Sequence, residues 1–270
     1  MSERTAHICF CVEGKTEISA LHYQFEDLFD RLFGDNVEVY FREPLWQGER
    51  IGDITTRRGV TSENIEKNLY KYFFKSQDTN SDISWDDFTY IIHIIDIDGA
   101  YIVKEEQIRL FTDDERELAD SIGTEDEPKK VLYFPDHIAV RNNPQAIAVR
   151  NEQKRKNIEH LRDLNEISIN VKKPPKKYRV FYFSSNLDHF LFGNANMSPP
   201  DKAYEAGYFA DHVMDAELLT EYFRTNKNCK EQNYYQSWEL LRKRNNSLQP
   251  ISNVNILIEE ILSSTLDDWL

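Results

Sequence analysis

Three acidic side chains stand where an apolar run gives way to polar chain, a placement that suits metal-ion chemistry. Glu13 follows His7-Ile8-Cys9-Phe10-Cys11-Val12, and Asp96 and Asp98 follow Tyr90-Ile91-Ile92-His93-Ile94-Ile95. Two aspartates at i and i+2 of an extended segment face the same side, roughly 6–7 Å apart for a rise of about 3.3 Å per residue. Such a pair suits a hard divalent cation, which takes carboxylate oxygens. Adding Glu13 would crowd three negative charges, so a cation or protons must compensate. A third polar strand end, Ser184-Ser185-Asn186 with Asp188 beyond it, offers more oxygens.

Other residues are weighed against plainer roles. Glu17 would suit a helix N-terminus whatever else it does, and Asn186 would cap the helix that follows it. His93 alternates within its strand and is expected to be a satisfied core histidine, with His189 a weak candidate. Cys9 and Cys11 sit in an apolar run, far from Cys229, and are expected to be small buried hydrophobes. Lys15 and Thr16 lack the Gly-x-x-x-x-Gly-Lys-Ser/Thr pattern of a nucleotide-binding loop.

The elements that must position these residues follow from periodicity. A helix is expected over residues 17–33, a strand over Val37–Phe41, a helix starting near Thr61–Asn64 and running to about Phe74, and a strand over Tyr90–Ile95. Strand, helix, strand, helix, strand in that order indicates a parallel sheet with right-handed crossovers. Ligands collect at the carboxyl ends of such strands. Farther on, the pattern predicts helices over Glu105–Leu118 and Pro144–Leu164, a strand over Val131–Phe134, and a surface connector Lys172–Lys177. A buried strand Arg179–Phe183, the helix Leu187–Phe192, and helical segments around Tyr204–Phe223, Tyr235–Arg244 and Ile251–Leu262 complete the reading. The fold class is therefore α/β: a Rossmann-like, mostly parallel sheet flanked by helices, with a helical insertion and a C-terminal helical layer. Residues 1–100 hold the first part of the core, 101–177 a charged insertion, and 178–270 the last core strand and the helical region.

The net charge of −14 argues against a general polyanion binder. The distribution is uneven, however. Residues 141–179 hold eleven Lys or Arg against four Asp or Glu, while 105–136 is dominated by acids, so a basic groove beside a carboxylate site is one expectation and a solvated helix face the other. No run approaches the roughly 18–20 apolar residues of a membrane span, and Met1-Ser2-Glu3-Arg4-Thr5 lacks a signal-peptide pattern. A soluble, cytoplasmic protein is expected.

An apolar strand ending in Glu-Gly-x-x-Asp/Glu, followed two crossovers later by one ending in Asp-x-Asp, resembles the TOPRIM domain of topoisomerases, primases and the OLD-type and RloB-like nucleases of bacterial anti-phage defence. The likeness covers roughly residues 6–100. Residues 183–190 also resemble the RloB-like strand-to-helix element, with Leu187 where the family's proline follows Asn and Asp188 or His189 where its acid stands. The resemblance implies a TOPRIM core and a Mg²⁺- or Mn²⁺-dependent endonuclease acting on DNA or RNA. Glu13 would bind metal or act as general acid/base, Asp96 and Asp98 would hold the ion, and Glu17 and Asp188 would complete a second metal position. Lys202 would be a transition-state cation. Arg57-Arg58-Gly59, just before a predicted helix, would hold a phosphate, with Asn186 a further substrate contact. The resemblance also implies a toxic effector controlled by a separate ATPase partner, since the sequence has no ATP-binding motif; a homodimer is a further expectation.

Two rival readings stand beside this. In a haloacid-dehalogenase-like phosphatase Asp96 would be the nucleophile and Asp98 the acid/base, with Phe183-Ser184 as second motif, which leaves Glu13 without a role. In a non-catalytic binding or regulatory subunit, the acidic surface and the aromatic C-terminus with Trp238 and Trp269 would dock a partner.

Overall fold

The computed structural model of the chain describes residues 5–76, 83–124, 128–170 and 172–270. The opening Met1 to Arg4, where no signal-peptide pattern is expected, lies outside them. β1 (Ala6–Cys11) is buried on both faces apart from His7, as an apolar run covered from two sides must be. α1 (Lys15–Phe33) puts Ala20, Leu21, Phe25, Leu28 and Phe29 along its buried stripe, and β2 (Val37–Arg42) returns beside β1. The short hairpin of β3 (Leu45–Trp46) and β4 (Glu49–Arg50) turns on Gln47 and Gly48 at φ 54° and 82°, the left-handed pair that fits a two-residue turn. α2 (Ile65–Leu69) continues as a π-helical stretch over Tyr70–Lys75. β5 (Tyr90–Asp96) is buried through its centre.

The segment expected to be a helical insertion departs from that expectation. β6 (Ile108–Leu110) precedes α3 (Asp113–Ile122), so the expected helix from Glu105 exists only from Asp113 onward. A reciprocal cap between Thr112 and Glu115 sets that start. β7 (Val131–Tyr133) and β8 (Ile138–Val140) join β6 in a three-stranded sheet, parallel between β6 and β8 and antiparallel between β7 and β8. α4 (Pro144–Arg162) follows, and its Ile158 and Leu161 enter the main core. β9 (Glu166–Ile167) and β10 (Lys176–Phe183) complete the large sheet, with β10 taking in Lys176 and Lys177 from the expected connector.

That sheet has the order β2-β1-β5-β10-β9, parallel throughout except for β9. The C-terminal ends of β1, β5 and β10 therefore lie side by side: Cys11 is level with His93, and Asp96 with Phe183. Backbone pairing persists beyond the strands, since Ile97 N–H donates to Phe183 O (2.9 Å) and Asp98 N–H to Ser185 O (2.8 Å).

α5 (Leu187–Phe192) leads into α6 (Pro199–His212) and α7 (Ala216–Thr225). The single helix expected around Tyr204–Phe223 is thus two, because Asp215 caps α7 by accepting the Leu218 N–H. α8 (Tyr234–Leu241), α9 (Val254–Ser263) and α10 (Leu266–Trp269) close the layer. Trp238 packs edge-on against Tyr182 and Trp269 against Phe29, both buried in the core, so neither offers the docking surface suggested for the aromatic C-terminus. Among the described residues no helix is long and apolar enough to cross a membrane.

Candidate metal centre

Glu13 lies two residues beyond β1, Glu17 in the first turn of α1, Asp96 at the end of β5 and Asp98 two residues on. The three strand ends thus bring the predicted carboxylates to one edge of the sheet. Glu13 Oε1 accepts the Asp96 N–H at 3.0 Å, and Asp96 Oδ1 accepts the Leu187 N–H at 3.0 Å. Asp98 has φ 49°, a left-handed conformation rare outside glycine, followed by Gly99 at φ 68°. A side chain on Gly99 would meet Ile138 Cδ1 and Leu248 Cδ2 at 2.9 Å. Glycine meets neither that crowding nor the strain of a positive φ, and the turn it permits fixes Asp98.

The sequence reading missed two members. Asp53 caps a short 3₁₀ turn, its Oδ1 accepting the Thr55 N–H at 2.7 Å, while its other oxygen faces Glu13 and Asp98. One carboxylate oxygen from each of Glu13, Asp53 and Asp98 lies within 4.8 Å of the others. Lys154 of α4 is fully buried among them. Its ammonium donates to Asp98 Oδ2 at 2.9 Å, lies 2.9 Å from Asp53 Oδ2, and is 4.0 Å from Glu13 Oε1. The Asp53 contact is an ion pair at hydrogen-bonding distance.

α4 is fastened around this lysine by amides. Asn151 Nδ2 donates to Gly99 O and Ile102 O (3.1 and 2.8 Å), Gln153 Nε2 to Arg57 O and Val60 O (3.1 and 2.8 Å), and Asn157 Nδ2 to Thr55 O (2.7 Å). The buried stripe of α4 includes Asn151, Lys154 and Asn157 beside Ala148, Ile158 and Leu161. A polar helix face that reads as solvated is therefore the clamp on two site loops. The local positive excess over residues 141–179 was its one signal in the sequence. Within that excess Arg155, Arg162, Lys173 and Arg179 end in ion pairs with Glu152, Asp163, Asp86 and Glu260.

On the far side of Asp96 lies a second group. Asp188, buried in α5, pairs with Lys202 of α6, and Asp188 Oδ1 has no hydrogen-bond partner among the described residues. Lys202 also lines a cavity of about 490 Å³ with Lys129 and Lys130; Glu125–Glu127, which join Thr124 to Pro128 of the same lining, lie outside the described residues.

The electrostatics separate the two groups. Burial opposes ionisation of Asp53, but the Lys154 ammonium and the Thr55 donors outweigh it and hold the carboxyl below its usual range. Lys154 itself is pushed well up by Asp53, Asp98 and Glu13 against the cost of burial. Glu13 is raised well above the ordinary glutamate range by burial and then by Asp53. Burial raises Asp96 likewise, with Glu13 and Glu17 adding repulsion. Glu17 is raised to about 7 by burial, with Asp188 adding repulsion and its own backbone donor easing it. Six carboxylates thus surround two ammoniums, and three of the six are harder to ionise than an ordinary carboxyl.

Several predicted contacts are not made. Arg57 stacks on Tyr72, its Cζ 5.0 Å from the ring centre, and donates to the Tyr72 hydroxyl at 3.2 Å. Arg58 is exposed, and turn rather than helix separates both from α2, so the helix N-terminus expected to share their phosphate is not at hand. Asn186 is the cap of α5: its Oδ1 accepts the His189 N–H and its amide donates to Ala195 O, so its side chain is tied to the local backbone. His93 is buried and bonded to Tyr178, and burial lowers it to about 3. Cys9 and Cys11 are buried and free.

No family model, curated protein or solved structure matches this chain.

Proposed function

We propose that this protein is a TOPRIM-type, Mg²⁺- or Mn²⁺-dependent nuclease that hydrolyses phosphodiester bonds of DNA or RNA. The observation that carries the reading is the carboxylate cluster at the ends of three parallel strands, with oxygens of Glu13, Asp53 and Asp98 within 4.8 Å of one another. Its chemistry fits a hard cation. Glu13, Glu17 and Asp96 are made harder to ionise by burial and mutual repulsion, and a buried Asp188 oxygen has no donor. A divalent ion held by Glu13, Asp53 and Asp98 relieves the first condition.

Glu13, Asp53 and Asp98 would hold the ion, with Asp96, Glu17 and Asp188 on its flank. The bound ion polarises a phosphodiester and lowers the pKa of attacking water. The protein's own residues supply the rest. The Glu13 and Asp96 carboxyls are fixed by backbone amides, Gly99 sets Asp98, and Lys202 presents an ammonium beside Asp188 next to a cavity that Lys129 and Lys130 also line. An anionic chain can approach that cationic side despite the net charge of −14. The phosphatase alternative requires an ionised Asp96 nucleophile, whereas Asp96 is the carboxyl that Glu13, Glu17, Asp98 and Asp188 all crowd.

The biological setting rests on the resemblance alone. The nuclease would be the toxic effector of an anti-phage system, cytoplasmic, and restrained or activated by a separate ATPase. Purified protein incubated with plasmid, single-stranded DNA and total tRNA, with Mg²⁺, Mn²⁺ or chelator, and with and without an ATPase encoded beside it, tests the reading. Cleavage that needs the metal supports it. Cleavage undiminished by chelator, or none under any condition, refutes it.

A further inference from the structure

Lys154 raises a question that the nuclease reading does not answer. A fully buried ammonium already sits where the three closest carboxylate oxygens converge, 2.9 Å from one oxygen of Asp53 and one of Asp98. An ion bound by those same oxygens would stand at about 2.0–2.1 Å from each. It would face the ammonium at a few ångströms, inside a site with little water to screen the repulsion. Both cations cannot share the Asp53–Asp98 pair. We infer that Lys154 is a tethered stand-in for the metal: its ammonium and a divalent ion are alternative occupants of the Asp53–Asp98 pair, and the ion enters as the side chain swings off.

The fastening of α4 does not depend on the Lys154 ammonium. Asn151, Gln153 and Asn157 bind the helix to the 53–60 and 99–102 loops through backbone carbonyls. These bonds do not involve Lys154 Nζ, so the backbone can stay while a four-carbon side chain turns. Lysine suits the role better than arginine, being a compact point charge on a flexible stem and not a rigid fork. Asp53 and Asp98 each offer the ammonium one oxygen at 2.9 Å, with Glu13 Oε1 at 4.0 Å, an arrangement of acceptors that a divalent ion can also use. The consequence is a fold whose metal position is charge-balanced before metal arrives, with divalent affinity lower than the bare carboxylates would give.

The inference rests on the metal-site reading, and the test separates the two. Mn²⁺ binding to wild-type protein and to Lys154→Met is followed by the electron spin resonance of free Mn²⁺. Removal of the competing ammonium is expected to tighten binding at least tenfold. In parallel, wild-type protein is reductively dimethylated with and without Mn²⁺, and Lys154 is quantified by peptide mass spectrometry against Lys156, whose side chain is 63% exposed. Lys154 is expected to be protected without the ion and to be modified with it, while Lys156 reacts equally in both. This second arm needs no variant and stands if Lys154→Met fails to fold. Equal or weaker Mn²⁺ binding by the variant, or continued protection of Lys154 in saturating Mn²⁺, overturns the exchange and leaves the metal reading intact. No Mn²⁺ binding by either protein overturns both.

Discussion

The cluster has two halves with the same ingredients and opposite electrostatics. On one, Asp53 and Asp98 face a lysine with no exposure at all; on the other, Glu17, Asp96 and Asp188 face Lys202, which keeps 30% of its side chain in solvent. Complete burial makes the first ammonium effective, so Asp53 stays ionised. The second ammonium compensates Asp188, while Glu17 and Asp96 stay raised. Charge count alone does not decide which carboxylates need a cation. Direct contact does, because Glu13, 4.0 Å from the same buried ammonium, stays raised as Glu17 and Asp96 do.

The sharpest way to break this comparison is to remove each lysine. Lys154→Met leaves two half-buried aspartates without their partner and is expected to cost about 3 kcal/mol, the lower end of the range for orphaning a buried charge. Millimolar Mn²⁺ should recover part of that loss. Lys202→Met, whose head is partly solvated but whose partner Asp188 is buried, should cost less, about 1–3 kcal/mol. Urea unfolding of both variants, with and without Mn²⁺, checks the contrast, and equal costs would erase it.

A second expectation concerns pH. Glu17 holds a proton in the folded chain that the unfolded chain releases, since its folded value lies near 7 against an ordinary 4.5. The stability this contributes is full below the ordinary value and is lost as pH rises toward 7. Asp53 acts in the opposite sense, contributing above its ordinary 3.8 and losing that only in stronger acid. In chelator the urea midpoint should therefore fall between pH 5 and pH 8. Mn²⁺ should flatten the fall, and Glu17→Gln should remove part of it. A midpoint that rises over that interval in chelator would show that the second half is charge-balanced.

How much of this was legible in sequence depends on the kind of element. β1, β5 and β10 announce themselves as apolar runs, and their polar ends named Glu13, Asp96, Asp98 and Asp188. α5 matches its expected bounds because Asn186 caps it and Gly193 ends it. Asp53 left no such mark: it stands in the loop Gly52-Asp53-Ile54-Thr55, and only tertiary folding carries it to the strand ends. Lys154 was hidden by its helix, whose buried stripe alternates amides and a charge with aliphatic residues, so the periodicity that reveals a core face is absent. β6, β7 and β8, three residues each, are too short to show a period. The Thr112-x-x-Glu115 cap was readable, and it would have moved the start of α3 from Glu105 to Asp113.

The smallest expected effect lies outside the cluster. Arg57→Ala removes a stacked cation from Tyr72 and should cost about 0.5–1 kcal/mol, with metal-dependent cleavage unchanged, because no carboxylate of the site is its partner. Loss of cleavage in that variant would return Arg57 to the site.

The central claim is that the strand-end carboxylates hold a divalent ion that cleaves phosphodiester bonds. Its most direct test is cleavage of end-labelled single-stranded DNA and RNA by wild-type, Glu13→Gln and Asp53→Asn proteins, each shown folded by circular dichroism, in Mn²⁺ and in chelator. Cleavage by the wild type in Mn²⁺ alone, absent in both variants, is the predicted result. Cleavage that survives chelator, or persists undiminished in either variant, would contradict it.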